Sequence, residues 1–320
     1  MSIAQYIREI GRGKDGRRSL SRVQAQDLMS RVLDGRVEDL ELGAFVVAMR
    51  IKGESVDELA GFLDAAHERC LRVPTDRPTV VLPSYNGARK LPNLTALLAL
   101  LLAQEGVQVL IHGIDDDEGR VTTAAIFHDL GLPFANDGAD VVEAWRRREP
   151  VFCRLAMLSP ALARLLDVRR VIGLRNSGHT IAKLLLPCTG GPVLRVVNYT
   201  HPDYAELQHA FLAASGADAL SLRGTEGEPV ADARRTPKFE IYLGGKSRPE
   251  LSSSAQEGVL TELPLLPREH DAATTALYIQ SVVSGERPAP APVQRQVESL
   301  VAALAALAEP SGSTGRLASP

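Results

Sequence analysis

Residues 79–111 read TVVLPSYNGARKLPNLTALLALLLAQEGVQVLI, and the order of elements that they predict indicates the fold class. The apolar run 79–82 is typical of a buried strand, and a loop containing proline, asparagine and glycine follows it. The pattern then predicts a helix over 94–104, with Asn93 as its cap, and a second strand over 107–111. A strand, a helix and another strand in this order favour a parallel pair joined by a helical crossover.

The same alternation continues through the rest of the chain. Further strands are predicted at 193–199, 219–222 and 238–243, with helices at 202–214 and 293–308. Strands that alternate with helices indicate a mainly parallel sheet covered by helices on both faces.

The start and the end of the chain differ from this pattern. The first seventy residues predict helices only, so we expect a small helical domain over 1–73, joined by part of 158–188. We expect a larger α/β domain over 74–308. Residues 309–320 are rich in serine, glycine and proline and are predicted to form a disordered tail.

The composition excludes several classes of protein. The chain has 320 residues and a formal net charge of −3, which gives no global basic signal. Its longest apolar run, 94–103, is half the length of about 20 residues that a membrane span needs, so no membrane association is expected. Residues 1–10 lack the apolar core of a secretion signal. The three scattered cysteines, Cys70, Cys153 and Cys188, match neither a disulfide framework nor a zinc site and favour a cytoplasmic location.

Three short motifs resemble those of anthranilate phosphoribosyltransferase. Leu110–Gly113 stands where that family has Lys-His-Gly, Val168–Arg175 is similar to its Val-Arg-x-x-Leu-Gly-x-Arg segment, and Leu222–Gly227 is similar to its His-Gly-x-Asp-Gly turn. The resemblance implies the fold of the class III nucleoside phosphorylases. That fold is α/β, with a small helical N-terminal domain and a larger domain whose mainly parallel sheet is covered by helices.

Two motifs depart from the family's pattern where the enzymes handle phosphate and metal. In the enzymes a Gly-Thr-Gly-Gly-Asp loop closes around pyrophosphate, because glycines let backbone N–H groups approach the phosphates. Here residues 83–95 keep a single glycine, Gly87. Pro229 and Val230 stand where the enzymes have the Asp-Glu pair that binds magnesium. Both losses should slow a reaction that depends on electrostatic stabilisation.

We therefore expect a remnant of a phosphate pocket, with no catalytic residue, metal or cofactor. The Tyr85 ring is expected where the phosphates would lie. Glu226 and Glu228 remain near the altered turn, which leaves open that they hold a cation in a different way. The predicted remnant comprises Ser84, Tyr85, Asn86, Gly87, Lys90, Asn93, Thr95, His112 and Glu226.

The altered motifs are together similar to those of a narrower group, the YbiB-type proteins. The similarity lies in Pro83–Arg89, Pro92–Thr95 and Gly224–Glu228. This resemblance implies a transferase-like homodimer that binds DNA or RNA with little base preference.

Positive charge is segregated along the chain. Residues 1–24 hold six Lys or Arg against two acids, 146–175 hold eight Arg against two, and 231–248 hold five against two. Because guanidinium groups form paired hydrogen bonds with phosphate, these clusters favour contacts that are led by phosphate and nonspecific for sequence. The predicted nucleic-acid-binding residues are Arg146, Arg147, Arg148, Arg169, Arg170, Arg175, Arg234, Arg235, Lys238 and Lys246.

Alternatives stay open at this point. Arg146–Arg148 is by default a solvated helix face, and the arginines of 169–175 can simply pair with acids. The N-terminal helices have enough apolar positions either for a dimer interface or for packing against one another. The second functional hypothesis is an active phosphoribosyl or other glycosyl transferase with an altered substrate, and the third is an anion-sensing regulator.

Overall fold

The computed structural model describes residues 2–13, 15–258 and 264–309. The first helices are α1 (Ala4–Ile10), α2 (Arg22–Leu33), α3 (Asp39–Lys52) and α4 (Val56–His67). The later helices are α5 (Thr95–Gln104), α6 (Thr123–Asp129), α7 (Gly138–Arg146), α8 (Leu155–Leu158), α9 (Pro160–Ile172), α10 (Ser177–Leu184), α11 (Pro202–Ala214), α12 (Ala272–Val283) and α13 (Ala291–Ala308). The strands are β1 (Val73–Thr75), β2 (Thr79–Ser84), β3 (Gln108–Gly113), β4 (Phe134–Ala135), β5 (Val151–Arg154), β6 (Cys188–Gly190), β7 (Val193–Tyr199), β8 (Ala219–Arg223), β9 (Phe239–Leu243) and β10 (Lys246–Ser247).

Helices α2 and α4 pack closely at the centre of the helical part. Ser21 and Ser55 begin these helices, and each forms a reciprocal capping box with the residue three positions later. A Cβ on Gly61 would lie 2.2 Å from the carbonyl oxygen of Arg22, so this glycine permits the close approach. Helices α9 and α10 lie against α2 and α4. The chain therefore returns to the helical part, while the domain boundary at residue 73 stays a prediction.

The main sheet has the order β10-β9-β8-β7-β2-β3-β5-β4 within the described ranges. Strands β4, β5, β3, β2, β7 and β8 are parallel, whereas β9 pairs antiparallel with β8 and β10 antiparallel with β9. A short parallel pair, β1 with β6, lies apart from this sheet. The prediction of an α/β fold with a helical N-terminal part and a mainly parallel sheet is confirmed.

Alternate residues of the central strand β2 enter two apolar cores. Val81 belongs to the core beneath the N-terminal helices, and Val80 and Leu82 belong to the core formed with α5, α12 and α13. The sheet is thus covered on both faces, which explains why its strands are apolar runs rather than alternating ones.

The carboxyl ends of the parallel strands place four loops together. Ser84 at the end of β2 pairs in register with Gly113 at the end of β3, and a Cβ on that glycine would lie 1.9 Å from the Ser84 carbonyl oxygen. The loops after β2, β3, β5 and β8 leave the sheet at this edge, where open α/β sheets bind ligands.

Strand β5 was not predicted, because its four residues lie between Pro150 and a helix and show no usable periodicity. The predicted disordered tail, 309–320, lies outside the described residues apart from Glu309. Within the described part of the chain, no helix combines the length and apolar character required to cross a membrane.

Candidate anion site and adjoining cleft

A carboxylate of the chain itself lies where the resemblance placed pyrophosphate. The Glu228 side chain is fully buried, and its Oε1 accepts hydrogen bonds from the N–H groups of Asn86 and Gly87, both at 2.8 Å. Its Oε2 accepts hydrogen bonds from hydroxyl groups, those of Ser84, Thr123 (3.3 Å) and Thr95 (3.4 Å). Such a donor set is the usual surrounding of a bound anion.

Two glycines make this close approach possible. Gly87 has φ 63°, and a Cβ there would lie 3.0 Å from the Val121 carbonyl oxygen. Gly227, with φ 88°, packs so tightly that a Cβ would lie 1.8 Å from the side-chain nitrogen of Asn86. The loops after β2 and β8 are therefore shaped to fit each other.

A second carboxylate fills the neighbouring part of the same loop. Glu226 accepts hydrogen bonds from the N–H groups of Arg89 (3.1 Å), Lys90 (2.7 Å) and Leu91 (3.0 Å). We call the donors of residues 84–91, with Thr95 and Thr123, the amide cradle. Both carboxylates in it come from the turn after β8.

Two cations stand beside the amide cradle. Lys183 donates a hydrogen bond to the Gly227 carbonyl at 3.0 Å, and burial lowers the pKa of this lysine to about 8 although Glu228 opposes the shift. Arg175 donates to the side-chain oxygen of Asn86 at 2.6 Å. These cations offset part of the negative charge that the buried carboxylate brings.

The cation alternative for Glu226 and Glu228 finds no support in this geometry. Their oxygens face N–H and O–H donors, and the described residues contain no group of three or more His, Cys, Asp or Glu side chains that could hold a metal ion. Pro229 and Val230 offer no carboxylate. These residues do not fit the magnesium site that the family resemblance implies.

The Tyr85 ring packs into the core beside the cleft rather than into the amide cradle. Its ring is buried, and its hydroxyl hydrogen bonds with Nδ1 of His112 at 2.6 Å. Burial lowers the pKa of His112 to about 3, so the imidazole is neutral at pH 7. The loop instead turns its backbone N–H groups toward the carboxylates, and the aromatic ring packs into the core.

A cleft of about 620 Å³ adjoins the amide cradle at the ends of β3 and β5. One wall is the acidic loop, Asp115–Glu118, and the other carries Arg154, Arg169 and Arg170. These walls are joined by ion pairs: Arg154 with Asp115 at 2.9 Å, Arg169 with Asp117 at 3.1 Å, and Arg170 with Asp116 at 4.0 Å. His179 also lines the cleft, and burial, with Arg175 and Arg169 nearby, lowers its pKa to about 3.

The structure places the predicted basic residues at several separate positions. Arg169, Arg170 and Arg175 face the acidic loop, as the pairing alternative proposed. Arg146 and Arg147 lie exposed at the end of α7 and pair with Glu143 and Glu149. Arg234 pairs with Asp232 and Lys238 with Glu240, while Arg235, Arg148 and Lys246 are exposed.

Sequence analysis predicted the cradle residues but not what fills them. Ser84, Asn86, Gly87 and Thr95 contact Glu228, and Lys90 contacts Glu226 through its backbone N–H. Asn93 contacts Thr123 and accepts from the Thr95 N–H. The roles of Thr123 and Lys183 were missed. The sequence did contain a signal for this, because the turn reads Glu226-Gly-Glu228 and faces a loop that keeps only one glycine, Gly87.

Comparisons with known proteins identify the family of the chain. Residues 4–70 match the model of the glycosyl transferase family, helical bundle domain. The uncharacterized protein YbiB of Escherichia coli (strain K12) is 37% identical over 320 residues, which are 99% of this chain and 99% of that protein. Anthranilate phosphoribosyltransferase of Anaeromyxobacter sp. (strain K) is 30% identical over 252 residues, 77% of this chain and 72% of the enzyme.

Among solved structures, anthranilate phosphoribosyltransferase from Thermus thermophilus matches with a TM-score of 0.69 at 21% identity, over 91% of this chain and 92% of that one. The Saccharomyces cerevisiae enzyme in complex with PRPP and Mg matches with a TM-score of 0.63 at 12% identity, over 95% and 94%. Those two likenesses show the fold. With the sequence relatives, they establish that the chain belongs to the family of YbiB, within the anthranilate phosphoribosyltransferase-like glycosyl transferases.

Proposed function

We propose that this protein is a homodimer that binds DNA or RNA through exposed arginines and does not transfer phosphoribosyl groups. The observation that carries the proposal is the occupation of the amide cradle by Glu226 and Glu228. Because the chain's own side chains fill the phosphate site, the phosphates of a nucleic acid would have to be bound by the protein surface.

Phosphoribosyl transfer needs the donors that these carboxylates use. A bound pyrophosphate would have to displace the buried Glu228. It would also lack the attraction of a bridging metal ion, because Pro229 and Val230 replace the carboxylates that bind magnesium in the enzymes. The displaced carboxylate would then repel the phosphates in a site of low dielectric. The repulsion by Glu228 and the missing metal ion both oppose binding of the sugar-phosphate donor.

Nucleic-acid binding is supported by arginines that are exposed to solvent although each forms an ion pair with a glutamate. The side chain of Arg146 is 73% exposed and that of Arg147 is 47% exposed. An exposed ion pair contributes only about 0–1 kcal/mol, so a phosphate can replace the carboxylate partner at little cost. Release of counterions from the nucleic acid would then drive binding.

The basic clusters lie at opposite ends of the sheet. Arg146–Arg148 precede β5 at the amino end of the parallel strands, whereas Arg234–Lys238 precede the antiparallel β9 at their carboxyl end. Five strand steps separate β5 from β9, which is about 24 Å. A nucleic acid would therefore contact these clusters as separate patches.

Dimerisation is supported by an exposed apolar stripe on α3. Leu40 is 84% exposed, Val47 37% and Ile51 73%, and Ala44 completes the 4-3-4 spacing of an interhelical seam. The stripe is symmetric about its centre, so two antiparallel copies would place Leu40 against the partner's Ile51. The first turn of α3 carries acidic residues, and Arg50 lies near the end of the helix. In an antiparallel pair the acidic start of one helix would therefore lie beside the basic end of the other.

Gel-shift titrations across a series of salt concentrations test the binding. We expect affinity for unrelated duplexes and single strands that falls linearly with the logarithm of salt, with a slope of about 0.9 for each phosphate contact. Two matched triple variants, Arg146/Arg147/Arg148→Gln and Arg234/Arg235/Lys238→Gln, compare the two patches at equal charge. Absence of binding at low salt, or binding without a salt slope, would refute the proposal.

Sedimentation velocity tests the dimer. The double variant Leu40→Glu with Ile51→Glu should be monomeric, because it places carboxylates in an apolar seam. Leu277→Glu is the matched control, since this leucine is 67% exposed on α12, away from α3. A wild-type monomer, or a double variant that remains dimeric, would contradict the seam.

The transferase hypothesis rests on the sequence relatives that are anthranilate phosphoribosyltransferases. Turnover of phosphoribosyl pyrophosphate by the wild-type protein with magnesium would favour it over the binding proposal.

A further inference from the structure

Backbone positions with positive φ are mostly glycines in this chain. Across the described ranges, fourteen glycines have positive φ, and the other two such residues are Glu226 at 51° and Arg148 at 60°. This conformation is unfavourable for a residue with a Cβ relative to glycine. Each exception therefore needs an interaction that offsets the strain.

At Glu226 the offsetting interaction lies within the chain. Its carboxylate accepts hydrogen bonds from the N–H groups of Arg89, Lys90 and Leu91. Hydrogen bonds to a charged group are stronger than neutral ones, so the side chain compensates for its own backbone conformation.

At Arg148 the main chain would work equally well with glycine. The N–H of Arg148 donates to the Trp145 carbonyl at 3.0 Å, and the N–H of Glu149 donates to the Ala144 carbonyl at 3.0 Å. This is the usual end of a helix, in which the left-handed residue is most often glycine. The backbone thus gives no reason for an arginine.

The Arg148 side chain has no offsetting partner among the residues described. Arg146 pairs with Glu143 at 2.8 Å, and Arg147 pairs with Glu149 at 2.9 Å, so the nearest carboxylates are already taken. The guanidinium of Arg148 makes neither an ion pair nor a hydrogen bond within the described ranges, and the residue is exposed.

We infer that Arg148 anchors a backbone phosphate of the bound nucleic acid, an inference that rests on the proposed function. The hydrogen-bonded helix end fixes the main chain from which the guanidinium projects. That group can bind phosphate through paired hydrogen bonds. Arg146 and Arg147, on the same turn, would exchange their exposed carboxylates for neighbouring phosphates. The end of α7 is therefore a contact patch, and Arg148 is its strained anchor.

The test uses the full chain with Arg148→Gly and Arg148→Gln, a short duplex of random sequence, and thermal unfolding. Arg148→Gly should lower affinity about eightfold for each lost contact near 0.1 M salt and reduce the salt slope by about 0.9. It should also raise the melting temperature by about 2 °C, because glycine relieves the strain. Arg148→Gln should lower the affinity by the same factor but should not raise the melting temperature. Arg36→Gln is the control for loss of one exposed charge elsewhere, and it should bind nearly as wild type.

The outcomes separate this inference from the proposed function. Unchanged affinity of both Arg148 variants, beside a wild type that binds, would overturn the anchor and leave nucleic-acid binding standing. A wild type that binds no nucleic acid would overturn both. A lower melting temperature for Arg148→Gly would refute the strain argument, and tighter binding to anionic lipid vesicles than to the duplex would refute the class of partner.

Discussion

The amide cradle and the cleft lie side by side at the same edge of the sheet, and in both the chain's own carboxylates face anion-binding groups. In the amide cradle, Glu228 is fully buried among backbone N–H and hydroxyl donors. In the cleft, Asp115 and Asp116 are 53% and 87% exposed and face arginines. The first arrangement is part of the folded core. The second is a network at the surface in which Asp115 and Asp116 are open to solvent, whereas Asp117 is only 6% exposed.

If the proposed function holds, the difference indicates how a phosphate-handling scaffold can lose one function and remain open to another. A buried carboxylate cannot leave without depriving its donors of their acceptor, so the proposed function expects the phosphate site to stay closed in the folded protein. Exposed ion pairs are weak and exchangeable, so arginines on the surface remain available to an external polyanion.

Replacement of Glu228 should have the largest effect on stability. Glu228→Ala removes the acceptor of two N–H groups and of the surrounding hydroxyl groups, and it removes the negative charge near Lys183. We expect a loss of about 3–5 kcal/mol in the free energy of unfolding. Glu228→Gln keeps the shape and should lose about 1–3 kcal/mol. Urea denaturation measures both. A loss below about 1 kcal/mol for the alanine variant would mean that the carboxylate is not part of the core.

The histidines beside both regions, buried His112 and half-buried His179, should make stability depend on pH. The pKa of His179 falls to about 3 in the folded protein, from an ordinary value of 6.5. Below pH 6.5 the unfolded chain binds a proton that the native chain does not, so stability falls as pH decreases toward the native pKa. The slope is at most about 1.4 kcal/mol for each pH unit.

Denaturation of the wild type and of His179→Gln between about pH 7 and pH 4 measures this contribution. The variant should show the shallower dependence on pH. If NMR shows that the His179 imidazole titrates near its ordinary pKa of 6.5, solvent reaches this side chain and burial does not lower its pKa.

Glu226 should contribute less than Glu228, because it is only partly buried. Glu226→Ala removes the acceptor of three N–H groups, and we expect a loss of about 2 kcal/mol. Glu226→Gly should be more stable than Glu226→Ala by about 1 kcal/mol, since the residue has φ 51°. Equal stability of the two variants would contradict the left-handed conformation there.

The smallest effect is expected in the cleft. Asp115→Ala breaks an exposed pair with Arg154 and should change the free energy of unfolding by less than about 1 kcal/mol. Its affinity for nucleic acid should be unchanged or slightly higher, because one negative charge is removed. A loss as large as that of Glu228→Ala would erase the distinction between the two regions.

The alternation of strands and helices was predictable from sequence, because each element carries its own periodicity. The loop residues of the amide cradle were also predictable, through the resemblance of 83–95 to a known motif. Their occupant was not, since Glu228 lies 142 residues from Asn86 and reaches it only after β2 and β8 take their places in the sheet. The ion pairs of Arg169 and Arg170 depend on the same long-range placement.

Calorimetric titration of the wild-type protein with phosphoribosyl pyrophosphate and magnesium shows whether the amide cradle is closed to phosphate. With Glu226 and Glu228 in the amide cradle, we predict no saturable heat at millimolar ligand. Saturable binding accompanied by turnover would show that the carboxylates leave the site, and it would contradict the account.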